Sequence, residues 1–183
     1  LGDYHAAGLD DVVIAGVACA NYSVWASIGD EDHLVVRVLD VGQGDGILIS
    51  FPNGKNILVD GGIAGYGQDA GERVVLPVLR HLGIRKLDAV IASHPHADHV
   101  GGLVTVLDRV EVLNYLDSGQ YYHTSTARRI RQLITDHGIR HHVVTAGDSI
   151  VGFGEAELIV LHPRDSFVSL DGEAPDGLNN GSV

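Results

Sequence analysis

The chain has 183 residues, 45% of them hydrophobic, which is enough to bury the core of one ordinary domain. Its formal net charge of −12 repels phosphate backbones at long range, which argues against a stand-alone nucleic-acid-binding module. An enzyme whose metal ions supply positive charge locally is not excluded. Cys19 is the only cysteine, so a disulfide framework and a zinc site built on thiolates are excluded.

A run without charged residues, "VVIAGVACANYSVWASI", occupies residues 12–28. It is at the lower length limit for a transmembrane helix and contains polar residues, so a buried helix or a signal-like segment stays open. The polar stretch "GDEDH" that follows predicts a domain boundary, with residues 1–33 as the possible end of a transmembrane helix and a linker. The chain begins at Leu1 and contains no methionine, which predicts that it is a fragment of a longer protein.

Residues 34–61 contain short β-branched runs separated by the glycine-rich turns "GQGDG" and "PNG", which predicts a β-meander. The next segment, residues 71–83, has helical spacing, with Asp69 as its expected N-cap and Gly83 at its end. Pro77 fits such a helix only within the first turn or at a kink.

Strands and helices alternate in the rest of the chain. The stretch "LDAVIAS", residues 87–93, is almost continuously apolar, which is typical of a strand buried on both faces. Further helices are predicted at 100–110 and 125–138, and further strands at 111–117, 140–146 and 155–163. A run of strands followed by alternating strands and helices predicts an α/β fold with helices packed on a sheet.

The motif "SHPHADHVGG" follows the buried strand and places His94, His96, Asp98 and His99 within six positions. Loops beyond the strand ends form the ligand crevice of such sheets, so we expect these side chains there. Imidazole nitrogens and carboxylate oxygens suit zinc or another borderline divalent ion. The spacing allows His94 and His96 to bind one ion and Asp98 and His99 a second. Two neighbouring ions promote attack on a phosphoryl or acyl group.

The motif "HPHADH" resembles the metal-binding signature of the metallo-β-lactamase fold, an αββα sandwich of mostly zinc-dependent hydrolases. The segments "LDVGQGDGILISFPNGKNILVDGG", "VVLPVLRHLGIRKLDAVIASHPHADHVGGL" and "LIVLHP", with the final "NNGSV", resemble the soluble domain of ComEC-type DNA-uptake (competence) proteins. The resemblance covers residues 34–183. It implies an α/β fold of the metallo-β-lactamase-like sandwich type, with the N-terminal half and part of the second half present and the carboxyl end truncated. In such proteins a membrane channel precedes this domain, which favours the transmembrane interpretation of residues 12–28.

The resemblance also implies roles for single residues. Asp98 would orient the attacking water besides binding metal, and Asp60 would hold the histidine loop by hydrogen bonds, with a plain turn residue as the alternative. Asp45 is either a turn residue or faces the crevice. A third histidine and a bridging aspartate are not found, and Asn179 or Asn180 is expected near the site instead. The aspartate is expected beyond Val183, so the fragment by itself is not expected to complete a tight site for two ions or to be active. The implied cofactor is one or two divalent ions, with zinc as the first choice and manganese as the alternative.

The stretch "SGQYYHT" follows a predicted strand that ends at the same edge of the sheet. Tyr121, Tyr122 and His123 there would contact a substrate by stacking, whereas an ordinary solvent loop is the alternative interpretation. His141 and His142 are adjacent in a predicted strand, so they point to opposite faces and do not chelate one ion together.

The sequence therefore predicts a metal-dependent hydrolase, specifically a phosphodiesterase or nuclease linked to DNA uptake across a membrane. Its partners would be DNA or another phosphodiester, and the membrane through an upstream channel domain. We expect it at a bacterial or archaeal cell membrane, with this domain soluble at the membrane surface. The alternative is a non-catalytic regulatory or docking domain of a membrane DNA transporter. The four intact ligands argue against that alternative, and the missing third histidine favours it.

Overall fold

The computed structural model describes residues 33–65, 67–120 and 123–164. The apolar run at 12–28, residues 29–32 of the polar stretch after it, Tyr121, Tyr122 and the "NNGSV" segment lie outside these ranges, so the predictions made for them stay predictions. Within the described ranges, no helix has both the length and the apolar character that crossing a bilayer requires.

The described residues form twelve strands, numbered here in chain order. They are β1 (Val35–Val38), β2 (Ile47–Ser50), β3 (Asn56–Val59), β4 (Ala64–Gly65), β5 (Gln68–Asp69), β6 (Lys86–Leu87), β7 (Ala89–Ile91), β8 (Glu111–Val112), β9 (Asn114–Asp117), β10 (Arg140–Val143), β11 (Ser149–Phe153) and β12 (Ala156–Ile159). Six of them form one sheet in the order β1–β2–β3–β7–β9–β10. Two-stranded ladders β4–β5, β6–β8 and β11–β12 accompany this sheet.

The predicted β-meander forms one side of the main sheet. β1, β2 and β3 pair antiparallel, with Val36 opposite Ile49 and Leu48 opposite Leu58. The "PNG" turn between β2 and β3 places Gly54 at a φ of +78°, a conformation that a residue with a Cβ rarely adopts. β3, β7, β9 and β10 then run parallel, as the alternation of strands and helices predicts.

Helices connect the parallel strands. They are a π-helical turn (Gly71–Val75), α1 (Leu76–His81), α2 (Ala97–Val100), α3 (Leu103–Arg109) and α4 (Ser125–Asp136). Asp69 Oδ1 accepts a hydrogen bond from the Glu72 backbone N–H, as expected of a capping residue. The backbone changes from π-helical to α-helical directly before Pro77, which accommodates a residue that has no N–H to donate. Gly83 follows the helix at a φ of +70°.

The two faces of the main sheet pack against different elements. Successive residues of a strand point to opposite faces, and β3 shows the result. Leu58 packs in a cluster with Leu79 of α1 and Leu133 of α4, whereas Ile57 packs in a second cluster with Phe153 of β11. The helices therefore cover one face, and the β11–β12 hairpin contributes to the other.

The strand predicted at residues 87–93 is interrupted at Asp88. The buried Asp88 carboxylate accepts a hydrogen bond from the Asn56 backbone N–H at 3.0 Å, and here the chain passes from the β6–β8 ladder into the main sheet. The part that remains, β7, is buried along its whole length, as the apolar sequence predicts. It leads directly into the histidine motif.

Candidate metal centre

The predicted ligand loop runs from the carboxyl end of β7 into α2, at the edge of the sheet where the parallel strands end. His94 lies in the loop, His96 directly precedes α2, and Asp98 and His99 lie in its first turn. The backbone N–H groups of His99 and Val100 both donate to the His96 carbonyl at 3.0 Å. This first turn sets the spacing of the side chains.

Three imidazole rings in this loop lie against one another. His94 Nε2 and His96 Nδ1 are 2.9 Å apart, a hydrogen-bond distance at which one nitrogen donates and the other accepts. The ring centroids of His94 and His99 are 4.0 Å apart. The fold therefore brings together the three histidines of the motif.

The chemistry of this group fits a divalent cation. Burial lowers the pKa of His94, and the neighbouring His99 and His96 act in the same direction, against the opposite effect of Asp60 and Asp98. The neutral imidazole is the form that binds a metal. His94 Nε2 and His96 Nδ1 are directed at each other, so a cation could bind both nitrogens in place of the hydrogen bond between them. Imidazoles with a carboxylate are a donor set that suits zinc.

Asp60 is a buried carboxylate that joins the end of β3 to the ligand loop. Its side chain is only 1% exposed, and its φ of +56° is tolerated by aspartate better than by most residues. Its oxygens accept hydrogen bonds from the Ser93 backbone N–H at 2.9 Å and the Ser93 hydroxyl at 2.6 Å. Oδ2 also contacts His99 Nδ1 at 2.8 Å. This is the arrangement expected of a carboxylate that orients a ligand histidine without binding the metal itself.

Asp45 lies at the same place and resolves one question that the sequence left open. Its Oδ2 is 3.5 Å from His99 Nδ1, so it faces the crevice. Potential ligand atoms of Asp45, Asp60 and His99 lie within 4.8 Å of one another. Three donors already occupy Asp60, and Nδ1 of His99 is directed at that carboxylate. His99 therefore keeps its Nε2 available, and Asp45, with 62% of its side chain exposed, lies on the Nδ1 side of the ring.

Asp98 is held by a residue that sequence reasoning did not single out. Gln43 Nε2 donates a hydrogen bond to Asp98 Oδ2 at 3.2 Å. Partial burial raises the pKa of Asp98, but its own backbone hydrogen bond, the Gln43 amide and the nearby His99 and His96 outweigh burial, so the pKa lies below its ordinary value. The carboxylate is therefore ionised and oriented. The only sequence signal for Gln43 was its place in the turn "GQGD".

The glycine-rich turn packs directly on the ligand loop. Gly44 has a φ of +92°, and a Cβ built on it would lie 1.6 Å from the Asp98 carbonyl oxygen. The Gly62 N–H donates to the Asp45 carbonyl at 2.8 Å, and the Gly61 N–H donates to the His99 carbonyl at 2.8 Å. Glycines thus let three backbone segments pack closely: the turn around Gly44, the segment at Gly61 and Gly62, and the ligand loop. This brings Gln43 and Asp45 within reach of that loop.

Replacing Gly44 with alanine is expected to lower the free energy of unfolding by at least about 3 kcal/mol, because the new Cβ would be strained and would also clash with backbone. Gly54→Ala is the matched control, since Gly54 has a similar φ of +78° and a Cβ added there would meet nothing within 4 Å. That control should lose only about 1–2 kcal/mol. Urea unfolding of both variants measures the difference, and equal losses would contradict the close packing.

The remaining candidates stand apart from the three rings or outside the described residues. His123 is exposed directly before the cap of α4, and its carbonyl accepts a hydrogen bond from Arg128. Its contact with substrate stays a prediction, as does the approach of Asn179 or Asn180, which the structure does not describe. His141 contacts Asp117 and His142 contacts Asn114, as expected of neighbours that point to opposite faces.

The fold and the clustered metal-ligand side chains agree with a comparison of the sequence with known families. The sequence profile described as Metallo-beta-lactamase superfamily matches residues 39–176, which is most of the chain. The chain belongs to the metallo-beta-lactamase superfamily. The fold class predicted from the motif "HPHADH" is thereby confirmed, and the superfamily is one of metal-dependent hydrolases.

Relatives of this metallo-beta-lactamase domain include competence proteins. ComE operon protein 3 of Bacillus subtilis is 26% identical over 94% of this chain and 23% of its own length. Recombination protein 2 of Haemophilus influenzae is 46% identical over 39% of this chain and 9% of its own. Competence protein ComA of Neisseria gonorrhoeae is 34% identical over 42% of this chain and 10% of its own. The predicted resemblance to ComEC-type proteins is confirmed, and the chain spans less than a quarter of the length of each of these relatives.

Proposed function

We propose that this metallo-beta-lactamase domain is a metal-dependent phosphodiesterase that cleaves a DNA strand during uptake across a membrane. The observation that carries the proposal is the meeting of His94, His96 and His99 beside an ionised, oriented Asp98 at the open edge of the sheet. The name of the competence relative supports DNA uptake as the setting. The acidic net charge fits a site in which bound cations attract the phosphate.

His94, His96, Asp98 and His99 would hold one or two divalent ions, and the imidazole-rich donor set favours zinc over manganese. When bound, such ions polarise the phosphoryl group, make water more acidic and offset the charge that develops during attack.

The side chains of the chain itself orient the reactants. The Asp98 carboxylate would accept a hydrogen bond from the attacking water and direct its oxygen towards phosphorus. Asp60, 2.8 Å from His99 Nδ1, favours the tautomer with the proton on that nitrogen, so Nε2 stays available for the cation. Burial keeps His94 in its neutral form.

The proposal extends to the cellular setting. The domain would work at a bacterial or archaeal cell membrane, beside an upstream channel domain that delivers the strand. The support is that the matching region is a minor part of each relative, which leaves most of their length for other domains.

Metal removal tests the proposed activity. The zinc- or manganese-loaded full-length protein is expected to hydrolyse single-stranded DNA and the small diester bis(p-nitrophenyl) phosphate. A chelator should reduce both rates to background, and added metal should restore them, because the cation supplies the charge on which the reaction depends. His96→Ala should lower the bound metal per chain, whereas His137→Ala, at an exposed histidine beyond α4, should not. A folded, metal-loaded full-length protein without turnover would contradict the phosphodiesterase and leave the non-catalytic docking domain.

A further inference from the structure

A cavity of about 120 Å³ lies beside the metal centre, between the ends of β9 and β10 and the inner face of α4. We call it the α4 cavity. His94 lines it and also belongs to the imidazole cluster, so the cavity and the metal centre share a wall. None of the roles proposed so far uses this space.

The walls of the α4 cavity are mostly apolar. Ala127, Ile130 and Ile134 of α4 form one side, and Val100 closes another. Ligand sites of this kind bury a flat or apolar group and orient it with a few polar side chains.

Most polar side chains of the cavity lie on its sheet side, and Arg131 of α4 is an exception. Tyr115 is 4% exposed, and burial raises the pKa of its phenol well above the ordinary value, so the hydroxyl keeps its proton to donate. The Asp117 carboxylate contacts His141 Nε2 at 3.0 Å and accepts from the Gly119 N–H at 2.9 Å through the same oxygen, Oδ1. The cavity therefore offers a hydroxyl donor and a carboxylate acceptor on the sheet side, and on the other side a wall from α4 that is apolar apart from Arg131.

The volume of the α4 cavity limits the size of the group that it can bind. An empty apolar cavity of about 150 Å³ in another protein binds benzene, so about 120 Å³ suits one six-membered ring but not a fused double ring. Among groups attached to a phosphodiester, the pyrimidine bases have this size. The edge of cytosine carries an amino group, which can donate a hydrogen bond to a carboxylate. It also carries a carbonyl oxygen, which can accept a hydrogen bond from a phenol.

We propose that the α4 cavity binds one pyrimidine base, cytosine in preference, of the strand whose phosphodiester lies at the metal centre. This rests on the proposed function, because the shared wall at His94 connects the base to the phosphate. The apolar side of α4 packs on the ring, and Tyr115 and Asp117 pair with its edge. The domain would therefore cleave or hold single strands with a preference at one nucleotide beside the bond.

Binding to the full 183-residue chain without metal, so that no cleavage occurs, tests the base site directly. The probes are 12-nucleotide strands of deoxycytidine, of deoxyadenosine and of abasic deoxyribose phosphate. We expect the deoxycytidine strand to bind about tenfold more tightly than the abasic strand, the gain typical of one stacked base. The deoxyadenosine strand should bind like the abasic one. Adenine offers a similar amino group, but its fused double ring is too large for the cavity.

Three variants locate the effect. Ala127→Leu fills the cavity from a helix that favours leucine and should abolish the tenfold preference. Thr126→Leu, which adds the same side chain on the same helix outside the cavity, should retain it. Tyr115→Phe keeps the ring, and with it the fold, and should reduce the preference by about threefold through loss of one hydrogen bond.

The outcomes separate the base site from the proposed function. Equal binding of the deoxycytidine and abasic strands, or a preference unchanged in Ala127→Leu, overturns the base site, and tight binding of deoxyadenosine overturns the size argument. Hydrolysis of bis(p-nitrophenyl) phosphate without any base preference contradicts the base site alone. A base preference without hydrolysis of that diester contradicts the phosphodiesterase alone.

Discussion

Replacing Asp98 with alanine is expected to lower the rate of phosphodiester hydrolysis by about 10²- to 10⁴-fold, the usual contribution of a positioned acid–base side chain. The variant loses the carboxylate that Gln43 orients, whose pKa its backbone hydrogen bond, Gln43 and the nearby histidines hold below the ordinary value. The fold should survive, because this partly exposed side chain accepts two hydrogen bonds, from Gln43 and from its own backbone, each worth about 1 kcal/mol. Initial rates on single-stranded DNA, with urea unfolding of the same preparation, measure both effects.

Asp136→Ala is the matched control for this change. Asp136 is an exposed carboxylate at the carboxyl end of α4, so its removal alters the net charge equally and leaves the metal centre untouched. Its activity should match that of the parent chain within a factor of about 2, as is usual for an exposed surface substitution. Activity of Asp98→Ala equal to that of this control would contradict the proposed mechanism.

Asp60 gives the second large effect, and two replacements separate its structural and chemical parts. Asp60→Ala leaves the Ser93 N–H, the Ser93 hydroxyl and His99 Nδ1 without their buried acceptor. The free energy of unfolding should fall by about 3 kcal/mol, as when one partner of a buried polar network is removed. Zinc affinity should fall with it.

Asp60→Asn keeps the shape of the side chain, and asparagine tolerates the positive φ of this position. Its amide nitrogen would donate to His99 Nδ1, which reverses the tautomer and places the ring proton on Nε2. We therefore expect zinc affinity to fall about 10- to 100-fold, while the unfolding free energy changes by only about 1 kcal/mol. Competition with a chromophoric chelator measures the affinity.

Asp88→Asn provides the comparison, because Asp88 is another buried carboxylate that accepts a backbone hydrogen bond, from Asn56, at the opposite end of the parallel strands. Its zinc affinity should equal that of the parent. If Asp60→Asn also binds zinc like the parent, Asp60 does not set the tautomer of His99, and its role is limited to the fold.

The ligand loop could be predicted from sequence because its determinants are local. His94, His96, Asp98 and His99 lie within one short loop and the first turn of α2, where residue spacing alone limits how far apart the side chains can be. The strand before them was evident from its apolar run. The break at Asp88 was not, since it depends on a hydrogen bond to Asn56 of a neighbouring strand.

The supports of the site could not be predicted in the same way. Gln43 and Asp98 are 55 positions apart in the chain, and "GQGD" alone is as consistent with a solvent turn as with a contact. Gly44 is explained only by the backbone that packs against it. The side of the α4 cavity formed by Tyr115, Asp117 and His141 depends on the register between β9 and β10, which no local pattern specifies.

The amino-acid sequence by itself determined the alternation of strands and helices, the class of the fold and the clustering of His94, His96 and His99, which we predict to bind metal. These follow from periodicity and from residues close together in the chain. Only the tertiary structure decided that Asp60 meets His99, that Gln43 holds Asp98 and that a ring-sized cavity adjoins His94. Such contacts join segments that are far apart in the chain. They depend on how those segments pack in the folded protein, which local sequence spacing does not specify.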